Sequence, residues 1–315
     1  MLVRILKYWK YPDLLRQTPG SKGIWSGVHF IVDEPGKADY VVIHGHAEKP
    51  AWVKCPKGHI WLVMGEPPNE NAGSWHKISG GVDRIYMTDE GRISDKHFLS
   101  NSYLPWWVDK DYDFLEACPP CQKTQSLSWI TSNNTVYAGH RYRMNYLDKV
   151  REMEELHLYG RGFAPIEGKW EGLAPYRYTI AFENYSNSHY WTEKVMDAFL
   201  AWTMPIYYGC TQLEKFFPRD SFVQLDPENP DPMSFLREVL KSGLQERNLE
   251  AIAEARRRVL NDYNLFNVLT QEIAVNQMQY ETKQPRKHLR VIFNHSGGRV
   301  HRLTESINQF LVSHG

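Results

Sequence analysis

The stretch from Tyr178 to Gly209, YTIAFENYSNSHYWTEKVMDAFLAWTMPIYYG, constrains the fold most, because its apolar runs are short and its charged residues stand at the turns. Tyr178, Ile180 and Phe182 belong to an apolar run that stops at Glu183-Asn184, the pattern of a buried parallel strand leaving its sheet. A polar and aromatic loop, Tyr185 to Trp191, follows. Thr192-Glu193-Lys194 then opens a helix with Thr192 as its cap and Val195, Met196, Phe199, Leu200 and Trp202 on one face. Pro205 to Gly209 reads as the next buried strand. Two parallel strands require such a crossover, so the segment is a βαβ unit whose ligand crevice lies beyond the carboxyl end of the first strand.

A helix start presents unpaired N–H groups and positive partial charge, which suits a phosphate, and Lys194 in the first turn adds a full charge. A lysine there opposes the helix dipole, so it is read as kept for an anionic ligand. Glu193 can accept hydrogen bonds from ribose or sugar hydroxyls, and Tyr190 can stack and donate. A solvated Glu-Lys pair on an ordinary helix is the alternative reading of these two residues.

AFEN, then Tyr190, TEK and MPIYYG resemble the donor-binding signature of the α1,3/4-fucosyltransferases of glycosyltransferase family 10. The resemblance extends upstream through LSWITSN (Leu127 to Asn133), Arg143-Met-Asn-Tyr146 and LHLYGRG (Leu156 to Gly162), and more thinly to Gly65-Glu66-Pro67-Pro68 and Tyr86 to Asp89. Tyr185 departs from a serine common in the family, and Trp202 from a glycine. The resemblance implies a GT-B-like α/β fold, two doubly wound Rossmann-like domains facing across a cleft. It also implies inverting transfer of fucose from GDP-fucose to a hydroxyl of an oligosaccharide or glycoconjugate acceptor. Glu66 is then the general base, preferred over Glu70. Arg143, Asn184, Tyr190, Glu193 and Lys194 bind the donor. Arg141, two residues from Arg143, points elsewhere on the helix. No cofactor and no metal are expected, because fixed basic groups replace a cation at such a donor site, and the chain is read as lacking a D-x-D motif placed to hold a metal diphosphate.

The expected domains are residues 1–120, carrying the base; 124–285, binding the donor; and a basic tail, 286–315. Strands are suggested at Val3 to Trp9, Val28 to Val32, Asp39 to Ile43, Ile60 to Met64 and Arg84 to Met87 in the first half. In the second half they fall at Leu127 to Thr131, Leu156 to Tyr159, Tyr178 to Phe182, Pro205 to Tyr208 and Phe222 to Gln224, with helices Tyr142 to Leu156 and Met233 to Asn261. Within Lys283 to Arg302 there are six Lys or Arg and three His but no acid, a surface tail with peripheral membrane contact as a lesser use.

Lysine plus arginine (37) equals aspartate plus glutamate (37), which gives no global charge for nucleic acid. No apolar run spans a bilayer and no leader pattern opens the chain, so a cytoplasmic location is expected. Cys118-Pro-Pro-Cys121 lacks partners for zinc and lacks the strand-then-helix context of a redox pair; it reads as a stiff interdomain linker. His44-Gly-His46 reads as loop histidines at a strand end, with an acceptor contact as the alternative. The tryptophans Trp9, Trp25, Trp52, Trp61 and Trp75 are core residues or sugar-stacking surfaces. Three rival functions stay in view: a transferase of the same build using another GDP-sugar, a non-catalytic glycan-binding protein, and a dinucleotide oxidoreductase, the last disfavoured because no G-x-G-x-x-G follows a strand.

Overall fold

The computed structural model describes residues 1–45, 51–68, 81–92, 94–101, 103–280 and 287–292. Two compact units account for them.

The first unit holds β1 (Leu2–Lys7), β2 (Ile24–Trp25), β3 (Val28–Val32), β4 (Gly36–Lys37), β5 (Tyr40–His44), β6 (Ala51–Pro56), β7 (Ile60–Val63), β8 (Arg84–Met87) and β9 (His97–Leu99). Its main sheet runs β2-β3-β1-β5-β7-β8-β9, parallel throughout except for the short β2 edge. β5, β7 and β8 are buried along their whole length, as the strands of a parallel sheet must be.

The second unit holds α1 (Tyr112–Ala117), β10 (Gln125–Ile130), α2 (Ala138–Val150), β11 (Leu156–Tyr159), β12 (Tyr176–Phe182), α3 (Glu193–Leu200), β13 (Met204–Tyr208), β14 (Val223–Gln224), α4 (Pro232–Lys241) and α5 (Leu249–Arg257). Its five strands are all parallel, in the order β11-β10-β12-β13-β14. The second strand lies on one side of the first and the third on the other, so the winding reverses between β10 and β12. Ligands of doubly wound sheets bind outside the carboxyl ends at that point. Alternation along β12 assigns its two faces. Tyr178, Ile180 and Phe182 join Leu127, Trp129, Tyr146 and Leu147 in the core beneath α2. α3 packs its buried Val195, Met196, Phe199 and Leu200 against β12 and β13.

The two-unit α/β class is the expected one, but the chain boundaries differ from those read. The second unit takes in Asn101 to Val268 together with Arg16 to Ser21, so residues 101–120 belong to it and not to the first unit. The cause is Asp197 of α3, whose buried carboxylate accepts the N–H groups of Trp107 and Val108 at 2.8 and 3.0 Å. At the other end, helix α6 (Leu265–Tyr280) carries the chain back to the first unit, where Asn276 pairs with the Tyr40 hydroxyl at 2.9 Å and Glu272 accepts from Tyr86 at 3.0 Å. Part of the expected tail is strand: β15 (Lys287–Ile292) pairs antiparallel with β6. Residues 293–315 lie outside the described residues.

The expected helix from Met233 to Asn261 is interrupted at Gly243, whose φ of 64° ends the first segment. The expected helix from Tyr142 begins earlier, at Ala138, and stops at Val150. Cys118 and Cys121 are free and lie in a segment between α1 and β10, but both of those elements belong to the second unit, so the segment is not the interdomain linker expected. Two residues beside them close the carboxyl end of α3. Lys123 donates to the carbonyls of Ala174 and Ala201 at 2.8 Å and to Thr203 at 3.1 Å, while Arg256 donates to the carbonyls of Leu200 and Leu115. The Arg256 cation there complements the helix dipole, while burial pushes the Lys123 ammonium down to about 7. Trp202, just past that end, has φ of 59°, which explains why glycine suits this position. The ring repays the strain by packing: Arg256 lies 4.8 Å from its centroid and its indole N–H donates to Cys118 at 3.2 Å.

Candidate active site

The chain leaves β12 still extended, and successive side chains of an extended chain point to opposite faces. Glu183 and Asn184 therefore serve different helices. Glu183 is fully buried against α3. Its Oε1 accepts the backbone N–H of Thr192 at 2.8 Å and the Thr192 hydroxyl at 2.7 Å, and its Oε2 accepts Lys194 Nζ at 2.9 Å. Asn184 instead turns to α2, where its Oδ1 accepts Arg143 Nη1 at 2.5 Å. Arg143 Nη2 donates to the Ser132 carbonyl at 3.1 Å, just beyond β10. Gly139 makes this approach possible. A Cβ at that position would stand 1.7 Å from the Asn184 carbonyl oxygen.

Two cations from two helices thus converge on the carboxyl end of β12, at the point where the winding reverses. Burial lowers the proton affinity of Arg143, with Glu183, Tyr190 and Glu193 acting in the opposite sense. Among the described residues, its buried Nε has no hydrogen-bond partner. Burial alone would also lower Lys194, but Glu183 and Glu193 more than offset it and hold the ammonium above the usual lysine range. Glu193 Oε1 stands 3.4 Å from Lys194 Nζ and 3.9 Å from Lys169 Nζ. Burial would raise its carboxyl, yet Lys194 and then Lys169 hold it at about 2. For Glu183, burial prevails over Lys194 and the carboxyl is raised.

These contacts amend the reading of Lys194. Its place in a first helical turn is explained by the carboxylates of Glu183 and Glu193, without appeal to a ligand. Tyr190 is also corrected as a stacking surface. Its ring is buried, edge-on to Tyr185 at 6.0 Å, and the loop is pinned where Asn187 Oδ1 accepts the N–H groups of His189 and Tyr190 at 2.9 and 2.7 Å. Arg143, Asn184, Tyr190, Glu193 and Lys194 all lie in the second unit, in the elements that flank β12.

Glu66 lies in the first unit, three residues past β7, and is exposed there. Its own unit does not supply the desolvation expected of a base. Its charge, after burial, helps push the Tyr8 hydroxyl up to about 12. His44 is buried at the end of β5, with the Trp9 ring edge-on at 4.7 Å, so it packs as a strand residue. Trp61 is core, while Trp52 on β6 is exposed. Glu70, His46 and Trp75 lie outside the described residues.

The absence of a D-x-D spelling is also corrected. Asp109-Lys110-Asp111-Tyr112-Asp113 contains two. All three carboxylates hold the backbone in place. Asp109 accepts the Trp170 N–H at 2.9 Å, Asp111 caps α1 through Phe114 N at 2.8 Å, and Asp113 accepts Gly20 N at 2.9 Å. Among the described residues, no group of three or more His, Cys, Asp or Glu is placed to hold a metal ion. Sequence reasoning missed Glu183, Gly139 and Lys169. Glu183 had a usable signal, since two adjacent polar residues ending a strand buried on both faces must point to both.

A doubly wound parallel unit with two basic side chains and a helix start at its reversal point is the class of domain that holds a phosphorylated ligand. Residues 120–241 match the model of glycosyltransferase family 10 (fucosyltransferase), C-terminal region. Human 3-galactosyl-N-acetylglucosaminide 4-alpha-L-fucosyltransferase FUT3 is 26% identical over 179 residues, 54% of this chain and 46% of its own. 4-Galactosyl-N-acetylglucosaminide 3-alpha-L-fucosyltransferase 9 of Cricetulus griseus is 30% identical over 191 residues, 58% of this chain and 49% of its own. The chain thus spans about half the length of these curated relatives. A crystal structure of an alpha1,3-fucosyltransferase superposes with a TM-score of 0.49 at 16% identity, covering 79% of this chain and 80% of that one. No helix among the described residues is long and apolar enough to cross a membrane.

Proposed function

We propose that the protein transfers fucose from GDP-fucose to a hydroxyl of a glycan acceptor, with inversion at the sugar C1. The observation that carries this reading is the convergence of Arg143 and Lys194 at the end of β12, with a buried arginine Nε still lacking an acceptor. A diphosphate oxygen supplies that acceptor, and the α3 start adds N–H groups. The departing GDP is thereby stabilised by fixed positive charge, which is why no metal or other cofactor enters the proposal. The family-model match and the named relatives support fucose as the sugar. Glu193 takes the donor's hydroxyl groups, and Asn184 holds the Arg143 fork. Glu66 is assigned, on resemblance, as the base for the acceptor hydroxyl. A cytoplasmic location, with the basic carboxyl-terminal segment touching a membrane surface, completes the reading.

The test has two arms. GDP is expected to raise the melting temperature while UDP and NAD do not; a site filled at a hundredfold over Kd is worth about 2.7 kcal/mol. Glu66→Gln is expected to keep the GDP shift and to lose transfer by about a hundredfold or more. A UDP response without a GDP response overturns the donor, and full turnover by Glu66→Gln moves the base elsewhere.

A further inference from the structure

His140 occupies the first turn of α2, three residues before Arg143 and therefore on the same side of the helix. Its neighbour Gly139 is the residue pressed against the Asn184 carbonyl, so this turn borders the anion site directly. The ring is partly buried and tilted against Tyr137 at 5.2 Å. Its Nδ1 accepts the Tyr137 backbone N–H across 3.5 Å, which leaves the proton of the neutral ring on Nε2. The charges acting on it come from Arg143 and Arg141 of its own helix and Lys194 of α3, and all are positive. Burial and these three cations, together with the positive end of α2, lower the affinity of the imidazole for a proton in the free protein.

A diphosphate reverses that potential. We propose that His140 is a further donor-binding residue, which contacts the diphosphate beside Arg143 and Lys194 and takes up one proton from solvent as the diphosphate arrives. The proton, taken from solvent, forms an N–H bond at Nδ1 and displaces only the long contact with Tyr137; no bond of the donor is formed or broken. Donor affinity then rises as pH falls through the histidine range, by up to about tenfold per pH unit. The inference rests on the donor reading given above.

The test is titration calorimetry with GDP-fucose, whose bridged diphosphate lacks the terminal phosphate of GDP that itself titrates near pH ~6. Wild type and His140→Asn are compared in buffers of different ionisation enthalpy; asparagine can still accept the Tyr137 N–H. Wild type is expected to absorb a fraction of a proton per donor bound and to bind about three- to tenfold more tightly on moving down one pH unit. His140→Asn is expected to bind the donor more weakly, with no proton uptake and a flat pH profile. Equal proton uptake by the two proteins overturns the proposal, as does a flat wild-type profile with the donor bound. Failure of wild type to bind GDP-fucose at any pH instead overturns the donor reading, and this inference with it. A merely structural histidine would change the melting temperature without changing the proton count.

Discussion

Glu183→Gln tests whether the buried carboxylate, and not the helix start alone, sets the position of Lys194. The substitution keeps size and keeps one oxygen for the Thr192 N–H, but it removes the charge that faces Lys194 Nζ at 2.9 Å. A hydrogen bond to a charged group contributes about 1.5–3 kcal/mol, and breaking a fully buried ion pair costs about 3–5 kcal/mol. Two features pull the expected loss toward the lower figure. The Lys194 side chain is 22% exposed and keeps Glu193 at 3.4 Å, and Glu183 itself bears a desolvation penalty that the neutral amide escapes. A loss of about 2 kcal/mol follows, which for a chain of this size lowers Tm by roughly 3 °C. Because the ammonium is freed toward Glu193, GDP affinity is expected to fall as well. The assay is thermal unfolding at neutral pH with and without GDP. An unchanged or higher Tm with the GDP shift intact would show that Glu183 does not hold Lys194 in place for the donor.

Gly139→Ala is expected to weaken GDP binding at least tenfold, because its Cβ would meet the Asn184 carbonyl at 1.7 Å, although helix propensity alone would favour alanine by about 1 kcal/mol; a more stable variant with normal affinity refutes this. Glu193 is held at about 2 against an ordinary 4.5, so its stabilisation is present above pH 4.5 and is lost as pH falls toward 2. Glu183, being raised, acts oppositely, losing stability as pH rises above its ordinary value. Unfolding free energies of Glu193→Gln are therefore expected to fall less steeply than wild type below pH 4.5, and parallel curves would contradict the pairing. Trp202→Gly relieves about 1–2 kcal/mol of left-handed strain but forfeits about 3–5 kcal/mol of buried aromatic packing, so urea denaturation is expected to show a net loss near 2 kcal/mol. A stabilised variant would show that the packing around Arg256 contributes little.

Several elements are legible because their signals are local. Val28 to Val32, Arg84 to Met87 and Leu156 to Tyr159 have the same bounds in sequence and structure, since a short cluster of aliphatic and aromatic residues bounded by turn-forming or polar ones marks a strand locally. The start of α2 is not legible because Gly139 and its polar neighbours look like loop, and its glycine is required by a neighbour 45 residues away in sequence. Helix α6 escapes the sequence for a related reason: its Glu272 and Asn276 pair with Tyr86 and Tyr40 of the first unit. Arg143, Asn184, Glu193 and Lys194 stand out in the sequence, but their mutual contacts do not.

By itself, the sequence determined the strand and helix pattern around Tyr178 to Gly209, the parallel connection it forces, and the residue types at the strand end. Those follow from periodicity, chain direction and short spacing. The tertiary structure alone decided that Glu183 and Asn184 divide between α3 and α2, that Lys194 is balanced by two carboxylates, that the aspartates from 109 to 113 are structural, and that the chain end rejoins the first unit. Each of these depends on which groups meet after the backbone has turned, and a buried charge or donor takes its character from those partners rather than from its neighbours in the chain.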